Sequence, residues 1–215
     1  MKVRCLKEKR LPPRKVRRSN SNPPIIVLGL GNPGPKFERT RHNVGYRVVD
    51  QLMKKPPTEF RRRLFTSYAF AELFDSEDNR PIIAVRYDGF MNNSGCIISA
   101  LKRRYRAATE DLLVVVDNMD LQPGICCIWK GGGTAGHNGL KSVVKHVGSG
   151  DFMRLYIGVG RPSAGVGVVE HVLGEPGNQD ALAIIDACSR GADAIRRLAY
   201  TPFQRVAEGL NRRDG

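Results

Sequence analysis

The stretch IIVLGLGNPG, residues 25–34, places a tight glycine turn directly after an unbroken apolar run. An apolar run of this length that ends in a turn predicts a strand covered on both faces, as in the centre of a parallel sheet. The turn carries Asn32 out of the carboxyl end of that strand, the edge where open α/β sheets bind their ligands. Asn32 is therefore a candidate site residue, with a turn residue that caps its own backbone as the alternative.

Three glycines of this stretch, Gly29, Gly31 and Gly34, also match the G-x-G-x-x-G spacing of dinucleotide-binding loops. In those loops a helix begins inside the motif, and its free backbone N–H groups bind the pyrophosphate. Pro33 and Pro35 have no N–H, and apolar residues at helical spacing begin only near residue 41. We therefore exclude a dinucleotide-dependent oxidoreductase.

Apolar runs of strand length alternate with apolar stripes of helical period along the rest of the chain. We expect further strands at residues 67–73, 81–86, 112–116, 125–129 and 154–159, and helices at residues 41–55, 93–105, 140–147 and 182–198. This alternation predicts one α/β domain, residues 25–215, built as a three-layer α/β/α sandwich on a twisted, mixed and mostly parallel sheet. The turn signal at residues 122–124 also predicts a hairpin between 112–116 and 125–129.

Positive charge is concentrated at the N-terminus of this 215-residue chain. Residues 1–24 hold nine lysines and arginines and one glutamate, so they supply +8 of the net +14. They lack an apolar period and contain two Pro-Pro pairs, which predicts a basic, disordered arm. An excess of positive charge of this size indicates a polyanionic partner, such as RNA. An organelle-targeting peptide is the alternative reading of the arm.

Hydropathy and cysteine usage restrict the compartment. The sequence has no run of about 18 apolar residues, the length that a membrane span needs, and no apolar core of a secretory signal. Its five cysteines show no C-x-x-C pair, which indicates free thiols in a reducing compartment and no structural zinc. We therefore expect no membrane partner and a cytoplasmic location, with a mitochondrion or plastid as the alternative.

Short polar stretches follow or open the predicted core elements. Besides GLGNPG at residues 29–34, they are TRHNVGY at 40–46, FMNNSG at 90–95, VVVDNMDLQPG at 114–124 and GGGTAGHNGLKSV at 131–143. In this order the five stretches resemble the bacterial-type peptidyl-tRNA hydrolase family, and the resemblance extends over about residues 25–210. It implies a phosphorylase/hydrolase-like fold and a monomeric carboxylic ester hydrolase without metal or cofactor. The substrate would be peptidyl-tRNA, and its hydrolysis would recycle tRNA after translation has stalled or peptidyl-tRNA has dropped off the ribosome.

The resemblance also implies roles for individual residues. The catalytic histidine corresponds to His42 and its carboxylate partner to Asp117. The substrate-binding set comprises Asn32, Phe37, Phe90, Met91, Asn92, His137 and Asn138. Hydrolysis of an ester needs a base for water, a group that orients the base and donors for the oxyanion. An imidazole, with an ordinary pKa of about 6.5, suits the first task, and asparagine amides suit the last.

Several assignments within this set stay open. Asn32 or Asn92 is the candidate oxyanion donor, and Asn138 is expected to hold the peptide. His137 is the alternative base to His42. The chain has no G-x-S-x-G nucleophile motif, so water is the expected nucleophile.

Three positions depart from better-known members of the family. Phe37 replaces a tyrosine, and Trp129 and Tyr156 replace two basic residues thought to bind the tRNA 5′-phosphate. The two aromatic residues are expected either to stack on nucleotides or to fill the core. Our candidate tRNA contacts are Trp129, Lys130, Lys141, Lys145, Arg154, Tyr156 and Arg161. In a regular strand, Lys130 would face away from Trp129.

These departures and the basic arm keep a second function open. Some relatives of the family bind RNA without hydrolysing it, in organelle ribosome assembly or RNA splicing. Such a protein needs a basic surface but no pair of base and carboxylate. Because His42 and Asp117 are both present, we favour the enzyme.

Overall fold

The structure, a computed structural model, describes residues 23–55, 57–62, 64, 66–73 and 79–212. The predicted arm lies outside these residues except for Pro23 and Pro24, and the division of the chain at residue 24 stays a prediction. Arg80 anchors the first described residue, because its Nε and Nη2 donate to the Pro23 carbonyl at 3.0 and 2.9 Å.

A single seven-stranded sheet forms the centre of the fold. Its strands are β1 (Ile25–Gly29), β2 (Arg61–Arg62), β3 (Tyr68–Leu73), β4 (Ile82–Tyr87), β5 (Leu112–Asn118), β6 (Cys126–Lys130) and β7 (Met153–Gly158), in the spatial order β2-β3-β4-β1-β5-β7-β6. The four neighbouring strands β4, β1, β5 and β7 are parallel. Antiparallel pairs β2–β3, β3–β4 and β6–β7 complete the sheet. The predicted α/β class and mixed sheet are confirmed.

The predicted hairpin between residues 112–116 and 125–129 is wrong. β5 lies between β1 and β7, and β6 pairs instead with β7. Burial explains this placement, since β5 is buried from Leu112 to Asp117 and therefore takes a central position, whereas β6 ends in the exposed residues Trp129 and Lys130. The turn between the two strands directs β6 to the far side of β7.

Helices cover both faces of the sheet. They are α1 (Val44–Leu52), α2 (Ile98–Tyr105), α3 (Asn138–Val147), α4 (Val168–Leu173), α5 (Asn178–Arg197) and α6 (Phe203–Asn211), and short 3₁₀ segments occupy Pro35–Phe37, Arg41–Asn43 and Met91–Ile97. Alternate residues of β1 face opposite cores: Ile25 and Val27 pack with α1, α5 and α6, and Ile26 and Leu28 pack with α2 and α3. The predicted three layers are therefore present.

Two further observations concern membrane spans and cysteines. Within the described residues, no helix combines the length and apolarity required to cross a bilayer. Cys96, Cys126, Cys127 and Cys188 form no disulfide in that same part of the chain, and Cys5 lies outside it.

Close contact between α1 and the sheet positions the end of the sheet that carries the candidate site. A Cβ atom on Gly45 would lie 2.4 Å from both the N and O atoms of Leu30 and 2.6 Å from the Val115 carbonyl. The backbone of α1 therefore rests directly on β1 and β5. His42 lies three residues before Gly45, so this contact holds the histidine segment against the carboxyl end of β5.

We predict that Gly45→Ala destabilises the protein. Alanine favours the helix by up to about 1 kcal/mol, but the added methyl meets backbone atoms that cannot move aside. Overpacking of this kind costs about 1–3 kcal/mol, so we expect a net loss in the free energy of unfolding, measured in urea. Gly133→Ala is the control, because its Cβ would meet nothing within 4 Å. Equal stability of Gly45→Ala and the unaltered protein would contradict this packing argument.

Candidate active site

The candidate site is centred on Asp117, near the end of β5. This residue is 6% exposed, and one oxygen of its carboxyl group accepts two hydrogen bonds. His42 Nδ1 lies 2.8 Å and His137 Nε2 lies 3.0 Å from Asp117 Oδ1. The three side chains come from the segment before α1, the end of β5 and the start of α3. The fold thus joins residues that are 75 and 20 positions from Asp117 in the chain.

Hydrogen bonds to its other nitrogen fix the protonation of His137. Nδ1 accepts from the backbone N–H groups of Gly139 and Leu140, at 3.1 and 3.2 Å, and so caps the N-terminus of α3. A nitrogen that accepts carries no proton, so the proton of a neutral His137 sits on Nε2 and is donated to Asp117. Both nitrogens of His137 are therefore engaged, which makes it a poor base.

His42 has the opposite arrangement. Its Nδ1 carries the proton donated to Asp117, so the lone pair lies on Nε2. Nε2 forms no hydrogen bond to any residue that the structure describes, and the side chain keeps 16% of its surface exposed. The two rings lie 4.8 Å apart between centroids. Of the two imidazoles, His42 is the one that can accept a proton from water.

Asp117 stays ionised despite its burial. Burial alone would raise the pKa of this carboxyl group, but the charge and hydrogen bond of His137 and the hydrogen bond and charge of His42 outweigh it. Together they hold the pKa well below the ordinary value for aspartate. The carboxylate can therefore orient His42 and balance the positive charge that His42 gains on taking a proton.

Asn32 is held in place through three hydrogen bonds. Its N–H donates to Asn43 Oδ1 at 2.8 Å, and its carbonyl accepts from Asn43 Nδ2 at 2.9 Å. Its side-chain oxygen accepts from the Met91 N–H at 2.9 Å. Because the oxygen is engaged, the amide NH₂ of Asn32 is the free end, and it has no partner among the described residues. This geometry suits a hydrogen-bond donor to substrate and replaces the simple turn reading.

Asn43 is a site residue that the sequence reasoning missed. It is 3% exposed and adjoins His42, and its reciprocal pair with Asn32 connects the loop after β1 to the histidine segment. Its place in the polar TRHN stretch is the only signal available, because the sequence does not show which amide faces backbone.

The other predicted substrate-binding residues differ in exposure. Asn92 and Asn138 are exposed, and they directly follow Met91 and His137, which are held in the cluster. Phe37 and Phe90 meet edge to face at 6.3 Å between centroids, and Phe90 is 57% exposed. Met91 is 2% exposed, so its part is to hold Asn32 through its backbone rather than to present its side chain.

His42, Asp117 and His137 also form a group whose ligand atoms lie within 4.8 Å, a spacing that could hold a metal ion. The donor set does not fit one. To ligate through Nε2, a neutral His137 would have to carry its proton on Nδ1, where two backbone N–H groups already point. The cluster is thus better described as two imidazole N–H groups that donate hydrogen bonds to the Asp117 carboxylate.

The predicted tRNA contacts do not form one surface. Trp129 is 54% exposed, Lys141 and Lys145 on α3 are exposed, and Tyr156 is half-buried. Lys130 pairs with Met153 in the β6–β7 register, whereas Trp129 pairs with Arg154, so the two side chains face opposite sides of the sheet as expected. Lys130 lines a cavity of about 430 Å³ beside Ile25 and Met153, at the end of the sheet opposite Asp117.

Both predicted arginine contacts are engaged within the protein. Arg154 is fully buried, so the prediction that it touches tRNA is wrong. Its two terminal nitrogens donate to backbone carbonyls instead. Arg161 is exposed and forms an ion pair with Asp120 Oδ1 at 2.6 Å, which leaves it accessible to solvent.

Comparison with known proteins agrees with this geometry. The family model described as Peptidyl-tRNA hydrolase matches residues 26–214. The peptidyl-tRNA hydrolase of Listeria innocua is 40% identical over 189 residues, which cover 86% of this chain and 99% of that protein. That of Oceanobacillus iheyensis is 36% identical over 187 residues, which cover 86% of this chain and 98% of that protein.

Solved structures give the same result. The crystal structure of peptidyl-tRNA hydrolase from Acinetobacter baumannii is 28% identical, with a TM-score of 0.80, and the match covers 87% of this chain and 94% of that one. Arabidopsis thaliana 5′-methylthioadenosine nucleosidase, 8% identical with a TM-score of 0.51, shares the fold alone. The sequence match, the shared fold and the cluster around Asp117 lead to one conclusion: this chain belongs to the peptidyl-tRNA hydrolase family.

Proposed function

We propose that this protein hydrolyses the ester bond between peptide and tRNA in peptidyl-tRNA, with His42 as the general base. One observation carries the assignment of the base: two imidazoles share one oxygen of Asp117, but only His42 keeps a free lone pair. The curated relatives named peptidyl-tRNA hydrolase support the substrate and the reaction class. None of these comparisons favours the non-hydrolytic RNA-binding alternative.

The reaction follows from the two protonation states. His42 Nε2 takes a proton from water while the water oxygen bonds to the ester carbonyl carbon, and Asp117 stabilises the resulting imidazolium. The Asn32 NH₂ donates to the oxyanion of the tetrahedral intermediate, and one such donor can contribute about 2.7–4 kcal/mol. The intermediate then releases the ribose oxygen, which takes the proton back from His42. The products are tRNA with a free hydroxyl and a peptide with a free carboxyl group.

The remaining residues divide between peptide and RNA. Asn138 and Asn92, exposed next to the cluster, hold the peptide backbone together with the Phe37 and Phe90 rings. The remaining tRNA contacts are Trp129, Lys141, Lys145 and Arg161, which are exposed, and Tyr156, which is half-buried; Lys130 faces the cavity at the opposite end of the sheet and is not among them. The basic arm adds long-range attraction to RNA, and we place the protein in the cytoplasm as a monomer.

We predict that His42→Ala lowers kcat for peptide release from peptidyl-tRNA by about 10²–10⁴-fold, the usual contribution of a general base. His137→Asn is the matched control, because asparagine also caps helices while losing the bond to Asp117. That bond is worth about one ordinary hydrogen bond, so we expect roughly a ten-fold loss for His137→Asn. Equal losses in the two variants, or an unchanged rate in His42→Ala, would contradict the assignment.

Asp117 makes stability depend on acid pH. Because its pKa is lower in the folded protein than the unfolded value of about 3.9, the carboxylate stabilises the fold above that value, and this contribution is lost as the pH falls below about 4. We expect the free energy of unfolding at pH 5 to be larger for the unaltered protein than for Asp117→Asn, and this difference to shrink towards pH 2. A constant difference across that range would show that the pKa of Asp117 is not lowered.

The arm is tested by removal of residues 1–22, which leaves Pro23 in place for Arg80. If the arm supplies only charge, tRNA affinity falls and its salt dependence flattens, by about 0.7–0.9 in log–log slope for each phosphate that the arm no longer neutralises. Release kinetics at saturating substrate should keep their kcat. A lower kcat for the truncated protein at saturation would mean that the arm acts in the site.

A further inference from the structure

Arg154 is a buried charge with no acidic partner. Its side chain lies on β7 with 0% exposure, and no carboxylate forms an ion pair with it within the described residues. Its guanidinium donates to the carbonyls of Gly133, Gly132 (2.5 Å) and Gly150 (3.0 Å). The Tyr156 hydroxyl accepts at 3.3 Å, and the Phe152 ring lies 4.6 Å away.

These acceptors come from two different loops. Gly132 and Gly133 follow β6, and Gly150 precedes β7. A Cβ on Gly150 would lie 3.1 Å from the Gly132 carbonyl and 3.2 Å from Arg154 Nη2, so the loops are in close contact around the guanidinium. Without Arg154, the carbonyls of Gly132 and Gly133 would lose these donors, and the Gly150 carbonyl would keep only the Phe152 N–H at 3.0 Å, so the contact between the two loops would be weaker. Arg154 therefore fastens the loop after β6 to the loop before β7.

The fastened loop leads directly to the cluster around Asp117. Gly131, Gly132 and Gly136 have positive φ, so their own backbone preferences do little to fix the path of this loop, and Ala135 adopts a positive φ that its backbone disfavours. Its next turn is closed by the bond from the His137 N–H to the Thr134 carbonyl at 2.8 Å. His137 lies four residues beyond the last carbonyl that Arg154 holds.

We propose that Arg154 is a positioning residue that keeps His137 on Asp117 by clamping the glycine loop. The inference rests on the proposed function and extends it to a side chain with no access to substrate. The clamp holds the Gly133 end of the loop, and the cap on α3 holds the other end, so His137 is fixed from both sides. Loss of the clamp frees His137 from the carboxylate that orients His42.

The test compares Arg154→Gln with Arg196→Gln. Arg196 also donates to three carbonyls, those of Gln51, Leu52 and Lys55, but it lies at the end of α1 away from His42. Arg196 is partly exposed and also pairs with Asp193 at 2.9 Å, whereas Arg154 is fully buried, so the two variants are compared by the kcat of folded protein and not by stability. We expect Arg154→Gln to lower kcat by about ten-fold, within the range known for small displacements of catalytic groups, and Arg196→Gln to leave kcat unchanged.

A double variant separates positioning from general damage. If Arg154 acts through His137, adding Arg154→Gln to His137→Asn lowers kcat little further, because the group being positioned is already gone. The proposal is overturned if the loss of kcat in the double variant equals the product of the two single losses, or if Arg154→Gln has a normal kcat. Arg154→Lys, which keeps a charge and donors, should restore part of the rate.

Two further results keep the test decisive. If Arg154→Gln does not fold, Gly150→Val replaces it, alone and combined with His137→Asn. The valine side chain would lie between Arg154 and the Gly132 carbonyl and separate them. An unchanged kcat in Gly150→Val overturns the proposal. Failure of the proposed function is recognised separately, because the unaltered protein would then release no peptide from peptidyl-tRNA.

Discussion

The candidate site depends on one carboxylate oxygen that accepts hydrogen bonds from two imidazoles. Asp117 Oδ1 accepts from His42 and His137 at similar distances, 2.8 and 3.0 Å. The two histidines differ in the hydrogen bonding of their second ring nitrogen. His137 turns its second nitrogen to the backbone of α3, whereas His42 leaves its own free. Two chemically identical side chains on one acceptor therefore differ in which ring nitrogen keeps a lone pair. The N-terminus of α3, and not the distance to Asp117, decides which of them can act as the base.

The fold meets the demands of this arrangement through backbone contact. Gly45 lets α1 rest on β1 and β5, so the His42 segment meets the end of β5 without an intervening side chain. On the other side, the loop that carries His137 has little conformational preference of its own and is held by the buried charge of Arg154. Asn43 fixes the third segment by pairing with Asn32. Each part of the cluster is thus positioned by a polar or close backbone contact rather than by apolar packing alone.

The amino-acid sequence predicts much of this, within clear limits. Apolar periodicity identifies the α/β class and the strand that ends in Asp117, and the family resemblance points to His42 and Asp117 as the candidate base and its partner. Periodicity does not say which strands pair, so the turn signal favours β5 as the partner of β6, although burial places β6 beside β7. Arginine is usually exposed, so the sequence favours a surface position for Arg154, and only the structure shows the three carbonyls that allow its burial. The choice between His42 and His137 stays open in the sequence because a tautomer depends on hydrogen-bond partners that are distant along the chain.

The most direct test of the central claim is ¹⁵N NMR of the imidazole side chains at neutral pH. We expect His42 to carry its proton on Nδ1 and His137 to carry its proton on Nε2. Because each of these N–H groups is hydrogen-bonded to the Asp117 carboxylate, the ¹⁵N signals of both rings should change in Asp117→Asn. A His42 ring protonated on Nε2 would contradict the claim, because His42 would then have no lone pair there to offer to water. A His137 ring protonated on Nδ1 would contradict it as well, because Nε2 of His137 would then hold a lone pair and the two rings would no longer differ as described.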